Sequence, residues 1–153
     1  MTHRLALVLS VFLAAPAAIA QAAETDAQAS EDALFQNGET ATLEEFRWIK
    51  RPLVIFADTD RDPRFAQQME LLNALPDELA ERDVVVLSDT NPGAKSALRE
   101  ALRPRGFMLV LIGKDGNPYL RKPFPWDVRA ISASIDKMPL RQQEIRDSHR
   151  PSR

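Results

Sequence analysis

The stretch Phe107-Met108-Leu109-Val110-Leu111-Ile112-Gly113-Lys114-Asp115-Gly116-Asn117-Pro118-Tyr119-Leu120-Arg121-Lys122 decides how this chain folds. Its apolar half, Phe107 to Ile112, runs without alternation, which is the pattern of a strand covered on both faces. Asp115-Gly116 then supplies hairpin chemistry, because two consecutive positive-φ positions favour Asp-Gly or Asn-Gly pairs. The spacing therefore predicts that a strand over Pro118–Lys122 returns antiparallel beside the first.

Upstream lie two further apolar runs of strand length, Leu53–Ala57 and Val84–Leu87, and each is followed by helix-start signals. Asp62-Pro63 combines an N-cap residue with Pro at the first helical position. Phe65, Met69 and Leu72 follow at helical spacing, with Pro76 as the expected stop. Asn91-Pro92 repeats the signal ahead of Ala94, Ala97, Leu98, Ala101 and Leu102, which end before Pro104. Thr42-Leu43-Glu44-Glu45 reads as a capping box before Phe46. Downstream, Pro123-Phe124-Pro125-Trp126 breaks the chain, Val128, Ile131 and Ile135 begin a third helix, and Leu140–Arg146 form a further one after Met138-Pro139. Strand, helix, strand, helix, strand, strand, helix implies an α/β fold with a mixed central sheet of about four strands flanked by helices. That is the order of the thioredoxin fold.

Of 153 residues, 44% are hydrophobic and 27% charged, which is ordinary globular usage. The formal net charge of −2 gives no footprint for nucleic acid. His3 and Arg4 precede an apolar run, Leu5–Ala15, that spans roughly half a bilayer core, where about 20 residues are needed. Ala18-Ile19-Ala20 and Ala20-Gln21-Ala22 suit a signal peptidase. Residues 1–22 are read as a cleavable signal peptide, cut after Ala20 or Ala22, which implies a periplasmic or secreted protein with no transmembrane segment after signal removal. Residues 23–33 are small, polar and acidic and read as a flexible leader, 34–147 as one domain, and 148–153 as a basic disordered tail.

Phe46-Arg47-Trp48 with Arg51 and the Leu53–Ala57 strand, Ile112-Gly113-Lys114-Asp115-Gly116, and Ile135-Asp136-Lys137-Met138-Pro139 with Arg141 and Glu144 resemble an uncharacterised thioredoxin-like domain of exported bacterial proteins. The same domain occurs in vertebrate extracellular sushi-repeat and coiled-coil-domain proteins. The resemblance covers roughly Leu34 to Asp147 and implies a relative of thioredoxins and peroxiredoxins. Thioredoxins place Cys-x-x-Cys at the end of the first parallel strand, where a helix N-terminus lowers the thiol pKa. Here that position reads Ala57-Asp58-Thr59-Asp60-Arg61-Asp62, and the chain contains no cysteine. Dithiol exchange and thiol peroxidase chemistry lack their sulfur.

Asp58-x-Asp60-x-Asp62 resembles the opening of a calcium loop, but Pro63 and Met69 stand where an EF-hand needs Gly and a bidentate Glu. The adopted reading is a strand-to-helix turn whose carboxylates cap amides. The triplet also resembles the first motif of haloacid-dehalogenase phosphatases, with Asp58 as nucleophile and Asp60 as general acid. Ser88, Lys95 and Gly113–Gly116 would complete that magnesium-dependent alternative, although Lys114 stands where that family puts an acid. His149, in the tail, is the one histidine left after signal removal, and no Gly-rich phosphate loop occurs, so neither metal nor cofactor is expected.

Arg103, Arg105, Lys114, Arg121 and Lys122 could form a basic face for an anionic ligand, lipid surface or partner, but an ordinary solvated surface is the better reading. Arg141 and Glu144, three apart, are expected simply to pair, and Trp126 to staple the last helix. The leading functional reading is a non-catalytic binding module. Its candidate surface is Asp58, Thr59, Asp60, Arg64 and Arg105, and its partner an envelope protein or small anionic ligand.

Overall fold

The computed structural model describes residues 34–150. The expected signal segment, the acidic leader and residues 151–153 of the tail lie outside them. The strands are β1 (Phe35–Asn37), β2 (Arg51–Phe56), β3 (Val84–Asp89), β4 (Met108–Ile112) and β5 (Pro118–Lys122). The helices are α1 (Pro63–Ala74), α2 (Pro76–Ala80), α3 (Ala97–Leu102), α4 (Val128–Asp136) and α5 (Pro139–Ser148), with 3-10 turns at Leu43–Phe46 and Pro92–Ala94.

One mixed sheet carries the order β1-β3-β2-β4-β5. β1 and β2 flank β3 in parallel, β4 runs antiparallel to β2 with Leu53 opposite Leu111 and Phe56 opposite Met108, and β5 runs antiparallel to β4. The apolar runs are covered on both faces, as their lack of alternation predicts. Leu53, Ile55, Val84, Val86, Leu109 and Leu111 pack under Leu72, Leu79, Val128, Ile131 and Ile135. Val54, Phe56, Val85, Leu87, Val110 and Ile112 pack on the opposite face against Phe46, Leu98 and Leu102.

Five strands stand where about four were expected. The extra one, β1, is too short to show a period in sequence, and its place depends on pairing with β3. Gly38 ends it where its amide donates to the Ser88 carbonyl at 2.8 Å and a Cβ would lie only 3.0 Å from that oxygen. At the hairpin, Gly116 alone takes a left-handed φ, +83°, while Asp115 does not. The loop is five residues long, closed by Gly113 N–H donating to the Asn117 carbonyl at 2.9 Å, so it does not need the paired positive φ of a two-residue turn.

Helix starts divide according to what their caps touch. Asp62 accepts from the Arg64 amide at 2.9 Å and Asp127 from the Arg129 amide at 2.8 Å, as N-caps should. Glu45 accepts from the Thr42 amide at 3.0 Å. Asn91-Pro92 opens only a 3-10 turn, after which Lys95 goes left-handed and Ser96 caps α3 by accepting from the Arg99 amide at 3.2 Å. Ser96 wins because its hydroxyl also donates to the buried Asp89 carboxylate. Pro76 opens α2 rather than merely closing α1, and α5 runs on to Ser148. Trp126, expected to staple the last helix, is tied instead to α1: half-buried against the core, its backbone exchanges two hydrogen bonds with the buried Gln68 side chain, at 2.7 and 3.0 Å. The exposed tryptophan is Trp48, 65% accessible on a left-handed φ of 65°.

Leu111→Ala opens a cavity in a fully buried layer and is expected to lower unfolding free energy by about 3 kcal/mol. The check is a lower urea midpoint at unchanged slope; a loss under about 1 kcal/mol would mean that the layer packs loosely.

Candidate functional site

The carboxyl end of β2 rests on a buried polar floor. Asp89, fully buried at the end of β3, accepts from the Ser96 hydroxyl, from the Asn91 amide at 3.1 Å and from Arg99 Nε at 2.9 Å. Arg99 Nη2 donates onward to the Ala57 carbonyl at 2.7 Å and the Asp89 carbonyl at 3.0 Å, and the guanidinium lies 5.3 Å over the Phe56 ring. One cation thus ties together the strand ends that launch the next loops.

Above this floor Asp58, Thr59, Asp60 and Arg61 are exposed. The Thr59 hydroxyl donates to Asp60 at 3.2 Å and accepts from the Arg61 amide at 3.2 Å, which shapes the turn. Asp62 and Arg64 form an ion pair at 2.7 Å, and Arg64 lies 5.5 Å over Phe107. The Arg64 side-chain hydrogen bond, followed by the Arg64 amide, holds the Asp62 carboxyl below its ordinary range. Antiparallel pairing of Phe56 with Met108 brings Gly106 beside Asp58, whose Oδ2 is 3.9 Å from where a Gly106 Cβ would lie. Arg105 stands next to it, exposed and without a polar partner among the described residues. Asp58, Arg64 and Arg105 therefore lie at one end of the sheet, with Thr59 and Asp60 on its rim.

The haloacid-dehalogenase constellation is not brought together. Because β4 runs antiparallel to β2, Gly113–Gly116 leaves the sheet beside Arg51, at the end away from Asp58. For the same reason Lys114 does not join a basic face with Arg105. Arg121 turns its guanidinium to the Leu102 carbonyl at 2.7 Å. Among the described residues no three His, Asp or Glu side chains converge to hold a metal ion.

At the opposite end lies a second cluster that reasoning from composition and motifs missed. Arg51, fully buried, donates from Nη2 to both oxygens of Glu144 at 2.9 and 3.0 Å and from Nη1 to the Arg82 carbonyl at 2.8 Å. Lys114 reaches Glu144 at 2.8 Å and Asp83 at 2.7 Å. Arg82 holds Asp136 at 2.9 Å and Glu78 at 3.1 Å. Arg141 spans Asp136, Glu144 and Glu81 at 3.4, 3.5 and 3.6 Å, so its expected pairing with Glu144 is one of three. These side chains, Arg51 and Glu78 excepted, line an open cleft of about 490 Å³. Burial alone would push the Glu144 carboxyl up, but hydrogen bonds from Lys114 and Arg51 outweigh it and hold the group below its usual range. Asp136 is lowered in the same way, Arg82 and Arg141 overcoming its burial. The signal was present in sequence: Arg51, Lys114, Asp136, Arg141 and Glu144 are among the residues that carried the family resemblance.

A family profile described as a domain of unknown function (DUF4174) matches residues 42–144. The chain belongs to that family. Coiled-coil domain-containing protein 80 of Danio rerio is 30% identical over 67% of this chain, which spans 15% of that protein's length. Reduced 2-Cys peroxiredoxin of Plasmodium vivax superposes with a TM-score of 0.54 at 16% identity, over 69% of this chain and 85% of that one. Oxidised thioredoxin O2 of Arabidopsis thaliana superposes with a TM-score of 0.52 at 12% identity, over 69% and 95%. At such identities the likeness establishes the thioredoxin-like fold and nothing about activity. This DUF4174 domain thus has that fold without a cysteine anywhere in its sequence.

Removing one partner from a buried ion pair leaves the other charge uncompensated, whereas replacing both with apolar groups is often neutral. Glu144→Ala is therefore expected to cost about 3 kcal/mol in urea unfolding, and Arg51→Met with Glu144→Leu clearly less. A double variant as unstable as the single one would contradict this account.

Proposed function

We propose that this DUF4174 domain is a non-catalytic binding module, exported from the cytoplasm, that engages an envelope protein or small anionic ligand at the carboxyl end of β2. The observation that carries the reading is the contrast between a locked floor and a free rim. Arg99, Asp89 and Ser96 fix the backbone beneath, while Asp58, Asp60 and Arg105 face solvent. A rigid scaffold presenting exposed charges suits recognition, because little order has to be created when a partner arrives. Complementary charge on the partner would then set orientation and encounter rate. Open α/β sheets commonly seat ligands beyond these strand ends. Arg105, with no carboxylate paired to it among the described residues, is the group best placed to meet an anion.

Full-length tagged protein recovered from the cell envelope is expected to bring down the same partner repeatedly, and Arg105→Glu with Asp58→Lys to lose it without loss of thermal stability. Repeatedly empty recoveries, or equal recovery by the variant, would reject the surface. With a generic phosphate ester and magnesium, the native chain and Asp58→Asn are expected to show equal background rates; turnover lost only in the variant would reinstate the phosphohydrolase. Mass spectrometry of the exported protein is expected to find an N-terminus at Gln21 or Ala23, and an uncut chain would contradict export by signal cleavage.

A further inference from the structure

Helix α5 is attached to this fold differently from every other long helix. α4 buries Val128, Ile131, Ser132 and Ile135, and α1 buries Gln68 and Leu72, whereas none of the ten residues of α5 is buried. No α5 residue belongs to either core cluster. Its apolar residues Leu140 and Ile145 are only half-buried. What joins it to the domain is charge. Glu144 faces Arg51 of β2, Lys114 of the hairpin and Arg141 of its own helix. Arg141 faces Asp136 of α4 and Glu81, which follows α2. Behind them Lys114 is shared with Asp83, and Arg82 binds Asp136, Glu78 and, at 3.7 Å, Glu81. The Gln142 amide adds a hydrogen bond to the Asp136 carbonyl, and the His149 ring lies against the helix's own Ile145 carbonyl.

We propose that α5 is an electrostatic latch: it docks while Glu144 and Asp136 are ionised and detaches as a unit, ahead of the rest of the fold, when they are protonated. The cluster sets one buried cation, Arg51, and three half-buried ones among carboxylates that are partly exposed. Protonating the carboxylates does not leave a neutral seam. It leaves Arg51 with no carboxylate partner, and Arg82, Lys114 and Arg141 with only Glu78, Glu81 and Asp83 to share among them. Repulsion among them opposes docking, and no buried apolar face resists it. Both carboxyls titrate below their ordinary values in the folded chain. Their contribution is therefore complete above the ordinary carboxylate range and is lost as pH falls through the lowered folded values. Detachment uncovers Arg51 and Lys114 at the end of the sheet opposite Asp58, so the latch conceals a cationic surface distinct from the rim.

Hydrogen exchange on the full chain, corrected for intrinsic rates, tests this at about pH 6 and about pH 2.5, the lower value lying a full unit or more beneath the ordinary carboxylate range. Protection of 139–148 relative to 108–112 is expected to fall about tenfold or more at the lower pH, which is the behaviour of a separately opening unit. Glu144→Gln at about pH 6 is expected to release α5 in the same way while β4 stays protected. Undiminished α5 protection at the lower pH would overturn the proposal, and so would parallel loss in α5 and β4, which means global unfolding. Should Glu144→Gln fail to fold, the native chain's two pH values still decide.

Discussion

Strand β2 has no face open to water: each of its six residues, Arg51 to Phe56, is buried. Such a strand needs both flanking ladders complete and both ends sealed, because an unpaired peptide group inside the sheet would carry the full cost of desolvation. The ladders come from β3 on one side and β4 on the other. The ends are sealed by guanidinium groups. Arg51 closes the entry by donating to the Arg82 carbonyl and Glu144, and Arg99 closes the exit by donating to the Ala57 and Asp89 carbonyls. A planar guanidinium satisfies several acceptors in fixed geometry, which a lysine ammonium at either place would not reproduce. The loops, the helix starts and the candidate rim all hang from these two closures.

Much of this was legible from residue order. Unalternating runs announce strands with two covered faces, and the antiparallel hairpin fixes which sheet they can build. Asp62-Pro63 announces its helix because the cap acts within two residues of itself. The failures share a physical cause. β1 exists through its pairing with β3, Ser96 displaces Asn91 as a cap because it reaches Asp89, and Arg51 finds Glu144 across most of the chain. Each depends on partners that are distant in sequence, and no local period or motif encodes them. The candidate rim was legible as a place, from strand ends in an α/β sheet. That Lys114 would leave it for the opposite end followed only once β2 and β4 were seen to pair antiparallel.

The two ends of the sheet use charge in opposite ways. At the exit of β2 the buried charges are consumed in holding backbone, and those on the rim are left facing water. At the entry nearly every charge is spent on another, across five separate elements. Surface pairs seldom contribute much, yet here Arg51 is wholly enclosed while the last helix is docked. That makes the entry cluster a constraint on how the last helix sits, and it leaves the exit free to diverge in chemistry without disturbing the frame.

The chain's two tryptophans fall on different ends of this frame. Trp48 projects into solvent from its left-handed turn, its amide donating to the Lys114 carbonyl at 2.7 Å. Trp126 is half-enclosed where β5 finishes, with the Lys122 ammonium 4.7 Å from its ring centroid. One indole is water-bathed and the other sheltered under a cation, so their emission should separate spectrally. Two natural fluorophores thus watch the ion cluster and the rim independently, without a label being added to either.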